Sequence, residues 1–552
     1  MAEEQPDLSC DVLVIGGGLA GCMAALHARE KRASVILVEK SAVQRSGAAA
    51  SGLDHARGAY PVEGCGTADE FAEAFMRQSG GLGNRKLLRI IGEEMPERMF
   101  YLEKYGLRIR DENGGLLLQS GVGTQKSFIL SFQGEDLKKR FDQALRENGV
   151  TILNRTMPAS LVMEGDRIAG VAAVNTRTAA FSAIRCKALV LASGGTNRLY
   201  QSATGLPYNT TGCPYNTGDA YALGYQAGAE MVNFEFTQLM LTLKNYSVPG
   251  YAGAIGVGAR VLNALGERIM ERYSPEMLEK SPRHLVSLAV HQEMLEGRGP
   301  CYFDFRHLPQ DKLEHYRTGL QNERAMILRY FDERGMDLRR DLVEIELGEL
   351  ATQNGGVTGL LIDENAATSV PGLYAAGDCA GGVGYCAGSN AMVFGWRAGA
   401  SAADYASTAS DISWPVEAVR QARDTAQSPL GRTQGPTGRE LEAKVQKTMS
   451  DYVGVQRNGA GLSNALRRLE NLKDCLVDLR AESPQDLMVS LEAQNGLLVG
   501  ELVARGAQER TESRWTHQRV DYPQPDDTNW KKYVVVTGRE GRTVVYTREL
   551  PA

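Results

Sequence analysis

CDVLVIGGGLAGCMAALHAREKRASVILVEK, residues 10–40, decides the fold. Residues 10–15 are an apolar, β-branched run of strand length. Residues 16–18 are three glycines, 19–31 carry helix formers at apolar spacing, and 34–38 form a second short apolar strand. Strand, glycine turn, helix and strand make a βαβ unit. Gly16, Gly18 and Gly21 are spaced G-x-G-x-x-G, and each spacing has a physical task. Gly16 permits the tight turn, Gly18 lets the backbone approach a pyrophosphate, and Gly21 lets the helix pack closely on the sheet. Leu19 and Ala20 open a helix whose free N–H groups and positive dipole end suit phosphates. Glu39 ends the second strand, where a carboxylate accepts hydrogen bonds from a ribose diol. A lone glycine triplet is weak evidence; set between strand and helix, with an acid after the next strand, it marks a dinucleotide site.

The following residues bear on which dinucleotide. Residues 45–52, RSGAAASG, are a run of small side chains after Arg45, over which a backbone can lie against a large flat ligand. Ala192, Ser193 and Gly194 close an apolar strand at 188–191, and Gly377-Asp378 follows another at 373–376. Three strand-end loops are suited to close contact with one extended cofactor.

The chain has 552 residues, too many for one ordinary core, so several domains are expected. Its 43% hydrophobic and 23% charged residues are those of a globular protein, and a net charge of −6 speaks against a nucleic-acid binder or a polybasic membrane anchor. No apolar run is long enough to span a bilayer. The segment MAEEQPDLSC lacks the basic and apolar parts of a signal peptide, so a cytoplasmic location is expected. The nine cysteines include no Cys-x-x-Cys and no iron–sulfur or zinc spacing, so the expectation is reduced, mostly packed thiols and no metal. Any iron–sulfur cluster that serves this chain belongs on another one.

The pattern reads as α/β, a dinucleotide-binding domain with an inserted domain, long helices and a C-terminal tail; the family that the motifs between 189 and 533 resemble implies a Rossmann-type FAD-binding domain with an inserted α+β capping domain, a helical domain and a small C-terminal domain. The expected bounds are 1–240 and 346–410 for the two parts of the FAD domain and 241–345 for the capping domain. The helical domain is expected over 411–508 and the C-terminal domain over 509–552. A β unit at 161–174 turns at Glu164-Gly165-Asp166. Helix-like segments at 282–296 and 311–334 belong to the insertion. Residues 420–435 read as a polar linker. Leu441, Val445, Met449 and Val453 recur at helical spacing, and the tail reads as a hairpin, 533–536 with 543–546.

With these motifs quoted, the chain resembles the fumarate reductase / succinate dehydrogenase flavoprotein family, its scaffold nearest to the adenylylsulfate reductase alpha-subunit branch. The carriers run nearly end to end: LVLASGGTNRLYQSATG (189–205), NTGDAYALGYQAGAEMVNFEFTQ (216–238), GERIMERYSP (266–275), YFDFRHLP (302–309), GLYAAGDC (372–379), GSNAMVFG (388–395) and ESRWTHQRVDYPQPDDTNWKKY (512–533). The resemblance implies that Gly16, Gly18, Leu19, Ala20 and Gly21 hold the pyrophosphate and that Glu39 and Lys40 sit by the adenosine ribose. Ser46, Gly47, Ala48, Ala49, Ser51 and Gly52 would flank the ribityl chain and ring. Pro158, Ala192, Ser193, Gly194, Asp219 and Asp378 would complete the cradle, with Ser389, Asn390, Ala391 and Met392 near the pyrimidine end. It also implies an electron partner, a ferredoxin-like iron–sulfur subunit, hence a hetero-oligomer.

Departures from the family pattern carry further expectations. Members with covalent FAD have His after the Arg-Ser; here Gly47 stands there, so the FAD is expected to be non-covalent. The dicarboxylate-binding positions of the family fall at Met240, Ile255, Ala351 and Cys386, where no cation remains, and Thr242 is the match left. Binding two carboxylates takes cationic, hydrogen-bonding partners, so fumarate, succinate and aspartate are not expected as substrates, and a larger, less anionic or more apolar pocket is. Met240, Thr242, Ile255 and Cys386 are the expected substrate-binding residues.

For proton transfer the candidates are Tyr385, in the loop GGVGYC, and Arg260, five residues beyond the lost arginine; a packing tyrosine and a lid salt bridge are the plainer readings. Lys244 and Tyr251 are weaker candidates. His307 and His517 read as structural, and Trp515 and Trp530 as either a partner surface or buried packing. The function expected is an FAD-dependent oxidoreductase, a reductase or dehydrogenase working by hydride transfer on a non-dicarboxylate small molecule. An electron-transfer subunit without its own small-molecule site and an oxygen-using flavin oxidase are the alternatives. The lid argues against a pure carrier.

Overall fold

The computed structural model describes residues 7–551 apart from residues 51, 54, 120–125, 203–207, 209, 250, 324, 353–354 and 411–412. Val12 to Ile15 of strand Leu8–Ile15 and all of Val35–Glu39 are buried on both faces, as central parallel strands require. They pair in parallel, Val12 beside Val35 and Ile15 beside Val38. Leu8–Ile15 also pairs in parallel with Phe181–Leu191, which pairs in turn with Leu373–Ala375. A seven-stranded sheet results; its parallel part is flanked on one side by Thr151–Asn154 and on the other by the antiparallel strands Thr156–Glu164 and Arg167–Asn175. Gly165 takes a left-handed φ in the turn between these last two. Helices Leu19–Glu30 and Gly388–Thr408 pack on each other through glycines. A Cβ on Gly395 would lie 2.4 Å from Ala20 O, and one on Gly399 would lie 2.1 Å from Ala24 O.

Residues from Leu241 to Leu347 build a separate layer. Their sheet runs Tyr246–Pro249, Leu241–Leu243, Val343–Leu347, Cys301–Asp304, Arg260–Leu262, with antiparallel pairing throughout. This layer has its own apolar core, which includes Val261, Phe303, Phe305 and Phe331. This inserted layer, called the lid below, is joined to the FAD domain by two neighbouring strands. Beyond it, helices Gly438–Tyr452, Gly459–Lys473 and Pro484–Glu509 form the helical part. Each begins at a side-chain cap: Thr437 in a capping box with Glu440, Asn458, and Ser483 before Pro484.

Two features differ from the sequence reading. Within 420–435, read as a linker, the residues up to Gln427 complete the helix Val416–Gln427, and a 3₁₀ turn follows at Ser428–Gly431. Its apolar stripe is small, Val419 and Ala426 with Ala418 and Ala422, and packs on Val162, Ala169 and Ala172 of the sheet; alanines among charges give no clear periodic signal. The C-terminal hairpin Lys532–Arg539 with Arg542–Glu549 does not stand apart. It completes a second sheet by pairing Val536 with Met231 of the FAD domain. No helix among the described residues is long and apolar enough to cross a membrane.

Candidate functional site

Three loops leave the carboxyl ends of adjacent parallel strands, where α/β sheets bind ligands. The first is Gly16 to Gly18. Gly16 has φ +104°, and a Cβ there would lie 2.5 Å from Ala192 O; one on Gly21 would lie 1.8 Å from Gly16 O. Both positions admit only glycine. Gly18 is different: an added Cβ would meet only Ala192 O, at 3.9 Å, so its missing side chain leaves open space. Helix Leu19–Glu30 starts there with no side-chain cap, which leaves its first N–H groups available to a ligand. Glu39 braces the turn, accepting from the Gly17 N–H at 2.7 Å and the Ser41 N–H at 2.7 Å, with lone pairs left over for a diol.

The second glycine-rich segment lies on the first. The Ser46 hydroxyl donates to Gly17 O at 3.1 Å, and a Cβ on Gly47 would come within 3.2 Å of Gly18 Cα. Ala48 and the buried Ala49 continue the turn to Gly52; Ser51 lies outside the described residues. Ala192 and Ser193 end the neighbouring strand, and the Ser193 hydroxyl accepts from the Ala220 N–H at the start of helix Asp219–Gln226. Gly194, at φ +79°, packs on Asn216. Gly377 brings the third loop in: a Cβ there would lie 3.0 Å from Ala20 Cβ and 3.6 Å from Ala391 Cβ. Asp378 follows it, its carbonyl accepting from the Tyr221 hydroxyl at 3.0 Å. Helix Gly388–Thr408 begins beside this loop, also without a side-chain cap. Its Ser389, Asn390 and Met392 are buried, and Asn390 donates to Gly377 O while its own Oδ1 has no partner. Pro158 lies in the same sheet, with Ala173 as its register partner.

These features fit a large dinucleotide. Glycines hold the backbone open, two uncapped helix N-termini converge for anionic oxygens, and a buried amide oxygen waits for a donor. Lys40 and Asp219 do not face this space freely. Lys40 Nζ lies 3.0 Å from Asp219 Oδ2 and 3.0 Å from Glu492 Oε1, and Arg198 pairs with Glu492 and Glu442. This buried network locks the helical part against the cradle. Lys138, also buried, donates from below to the Gly17 carbonyl.

The lid meets the cradle at Tyr385, whose N–H donates to Ser79 Oγ. Its hydroxyl accepts from Arg283 Nη1 at 2.7 Å, and the Arg283 guanidinium lies 5.7 Å from the centre of its ring. A second guanidinium, Arg57, lies 5.5 Å from the same ring and 5.9 Å from that of Phe75; the Arg57 N–H donates to Ser389 Oγ at 2.8 Å. Among the described residues neither arginine has a carboxylate partner. Arg283 opens helix Arg283–Leu295, where a cation opposes the helix dipole, so helix stability does not account for it. Trp515 stands 6.4 Å from the Tyr385 ring and 6.3 Å from that of His284.

The other candidates sit elsewhere. Arg260 lies on Arg260–Leu262, opposite Asp304 in the lid sheet. Ile255 is in the lid core, Thr242 is buried in the lid sheet beside Glu346, and Met240 is half-buried at the hinge. Cys386 is buried, and burial pushes its thiol up to about 12, so it is inert as a nucleophile. Lys244 pairs with Glu346 at 2.8 Å, and the Tyr251 side chain lies outside the described residues. His307 holds Gly258 O; His517 is buried between Arg457 and Arg510 O, and burial, aided by the charges of Arg457 and Arg510, pushes its imidazole well down. Trp530 lies beside the Arg510 guanidinium.

Arg57 and Arg283 are absent from the sequence reading. The cationic character missing at Met240, Ala351 and Cys386 returns at these two positions, on other elements. The available signal is an arginine directly after Pro282, at the first turn of an expected helix.

At the hinge, Gly348 N–H donates to Met240 O and Gln238 N–H to Ala351 O. Glu349 beside them is 7% exposed, and neither carboxylate oxygen has a hydrogen-bond partner of good geometry. Burial raises this carboxyl to about 8, which the nearby Arg198 offsets only in part. A folded-state value above the unfolded one makes its contribution to stability full below about pH 4.5 and lost as pH rises toward about 8. Glu349→Gln is therefore expected to raise the melting temperature by a few degrees at about pH 8.5 and to leave it unchanged at about pH 4. An equal shift at both pH values in a thermal scan contradicts this.

Comparisons with known proteins agree with this geometry. The model of the FAD binding domain family matches residues 11–391, and that of the fumarate reductase flavoprotein C-terminal domain matches residues 442–550. The chain is 30% identical over 551 residues to a fumarate reductase (CoM/CoB) subunit of Methanothermobacter marburgensis, covering 96% of this chain and 97% of the relative. It is 28% identical over 580 residues to L-aspartate oxidase of Streptomyces coelicolor, covering 99% and 94%. The structure of adenylylsulfate reductase from Archaeoglobus fulgidus superposes with a TM-score of 0.90 at 22% identity, over 99% of this chain and 96% of that one; this is a likeness of fold.

Proposed function

The chain belongs to the fumarate reductase / succinate dehydrogenase flavoprotein family and is an FAD-dependent oxidoreductase; from that premise we propose that it transfers a hydride to or from a small organic anion other than fumarate or succinate. The reaction takes place beneath the lid at Tyr385. The observation that carries this reading is the 2.7 Å hydrogen bond from Arg283 of the lid to the Tyr385 hydroxyl of the cradle loop, with Arg57 on the same ring. An electron carrier without a substrate has no use for unpaired arginines under a lid. A relative is named a fumarate reductase. Against fumarate here stand Met240, Ala351 and Cys386, which offer no cation to a second carboxylate.

Bound FAD supplies the two-electron chemistry; the chain's residues do the rest. Gly16 to Gly21 and the two helix N-termini hold the phosphates. Gly47 has no side chain to bond a flavin, so the FAD is non-covalent, and acid precipitation is expected to leave the yellow colour in the supernatant. Colour retained in the pellet contradicts that. Arg283 and Arg57 bind the anionic group of the substrate and exclude bulk water as the lid closes. Arg283 occupies the acceptor side of Tyr385 Oη, so the phenol's own proton is free to pass to or from the substrate carbon. Among the described residues no cluster of His, Cys, Asp and Glu is suited to a metal. A relative is named as one subunit of a larger reductase, and the proposed route for electrons is a ferredoxin-like iron–sulfur partner on another chain.

The test is a reoxidation screen. Anaerobically photoreduced holoenzyme is mixed with unsaturated monocarboxylates, fumarate and ferredoxin-type proteins. Reoxidation by a monocarboxylate is the expected result. Reoxidation by protein acceptors alone, with no response to any small molecule, establishes the carrier instead.

A further inference from the structure

The geometry points to the class of substrate: a monocarboxylate with a planar aromatic body, its carboxylate held by Arg57 and Arg283 and its ring by Tyr385, Trp515 and His284. This rests on the reading of the Tyr385 site as the reaction site.

Both guanidiniums converge on a single phenol, 5.5 and 5.7 Å from its ring centre. They present one anion-binding locus, not two separated ones. The group next to them on the lid, His284, adds no charge: burial pushes its imidazole down to about 4, so it is neutral. Beyond the arginines the site turns aromatic. Tyr385, Trp515 and His284 are each half-buried, with the Tyr385 and His284 rings edge-on to Trp515 at 6.4 and 6.3 Å. Arg57, between the Tyr385 and Phe75 rings, already makes the cation–ring contact that a planar anion would extend.

Trp515 packs on one side against the buried Phe236, 5.6 Å between ring centres. The Trp515 φ is +51°, a left-handed conformation that a bulky residue adopts only when its surroundings impose it. The turn is closed by reciprocal backbone bonds between Arg514 and His517, and Arg514 is anchored by Glu512. A Cβ on Gly80 would lie 2.8 Å from Trp515 Cβ, so that glycine makes room for it. The C-terminal segment thus delivers a strained indole to the junction of lid and cradle.

The test is calorimetric titration of oxidised holoenzyme with cinnamate, hydrocinnamate, cinnamamide, crotonate and fumarate. Cinnamate is expected to bind about tenfold more tightly than crotonate or fumarate, the size of one added ring contact. Cinnamamide is expected to bind about tenfold or more weakly than cinnamate, as loss of a charge-assisted pair requires. Arg57→Gln should erase the preference for cinnamate over cinnamamide, and Trp515→Leu the preference for cinnamate over crotonate. If Trp515→Leu fails to fold, Arg57→Gln and the ligand series still decide. Crotonate binding as tightly as cinnamate overturns this inference and leaves the proposed function standing. Cinnamamide binding as tightly as cinnamate overturns the carboxylate clamp. Fumarate binding most tightly overturns both.

Discussion

Arg283→Gln is expected to lower kcat/KM for the small-molecule substrate by about 10²–10⁴-fold, the range of a lost proton-transfer or charge-stabilising group, while FAD stays bound. Arg283 is the lid side chain that reaches across to the cradle, donating to Tyr385 Oη at 2.7 Å, and it has no carboxylate partner among the described residues. Glutamine keeps a donor but loses the charge and the reach. The loss should fall on substrate reduction or oxidation alone. Arg283 stands on the lid rather than on the dinucleotide loops, and the lid core that carries its helix does not include it. Stopped-flow reoxidation by the substrate, with ferricyanide as an acceptor that needs no binding site, separates the two.

The second large effect lies at the first glycine loop, where two substitutions should fail in different ways. In Gly21→Val the new Cβ would sit 1.8 Å from Gly16 O, far inside van der Waals contact. Helix and turn cannot coexist, so the expected result is loss of both the folded FAD domain and the flavin. In Gly18→Ala the new methyl meets nothing closer than Ala192 O at 3.9 Å, so the apoprotein should fold. The methyl instead occupies the space facing the uncapped helix, and FAD affinity should fall by about a hundredfold, roughly 3 kcal/mol. Circular dichroism with fluorescence titration of FAD reads both. Equal flavin affinity in Gly18→Ala and wild type would show that the cofactor lies elsewhere.

How much of this is legible in the sequence follows from the range of each determinant. Residues 16–21 announce their turn because glycine, strand and helix signals lie within one short segment. The strand-end loops at 192–194 and 377–378 are readable for the same reason, as is the terminal hairpin, whose turn at Glu540 and Gly541 is left-handed at both positions. The helix Val416–Gln427 escapes a periodicity reading because its buried face is mostly alanine. The substrate site is half legible. Tyr385 stands out in a glycine-rich loop, but its partners come from three distant elements: Arg57 on a short strand, Arg283 on a lid helix and Trp515 in the tail. No local pattern links them, since the contacts exist only after the lid folds over the cradle. Arg260 is favoured by sequence proximity to a lost arginine, yet strand pairing directs it to the lid sheet opposite Asp304.

FAD and substrate are proposed to meet where Arg283 touches Tyr385. The most direct test is the reoxidation half-reaction of reduced wild-type and Arg283→Gln holoenzymes, each mixed with cinnamate, with crotonate and with ferricyanide. The variant is expected to lose reoxidation by the carboxylate that serves wild type and to keep the ferricyanide rate. Unchanged reoxidation by that carboxylate in the variant would contradict a reaction site at Arg283 and Tyr385.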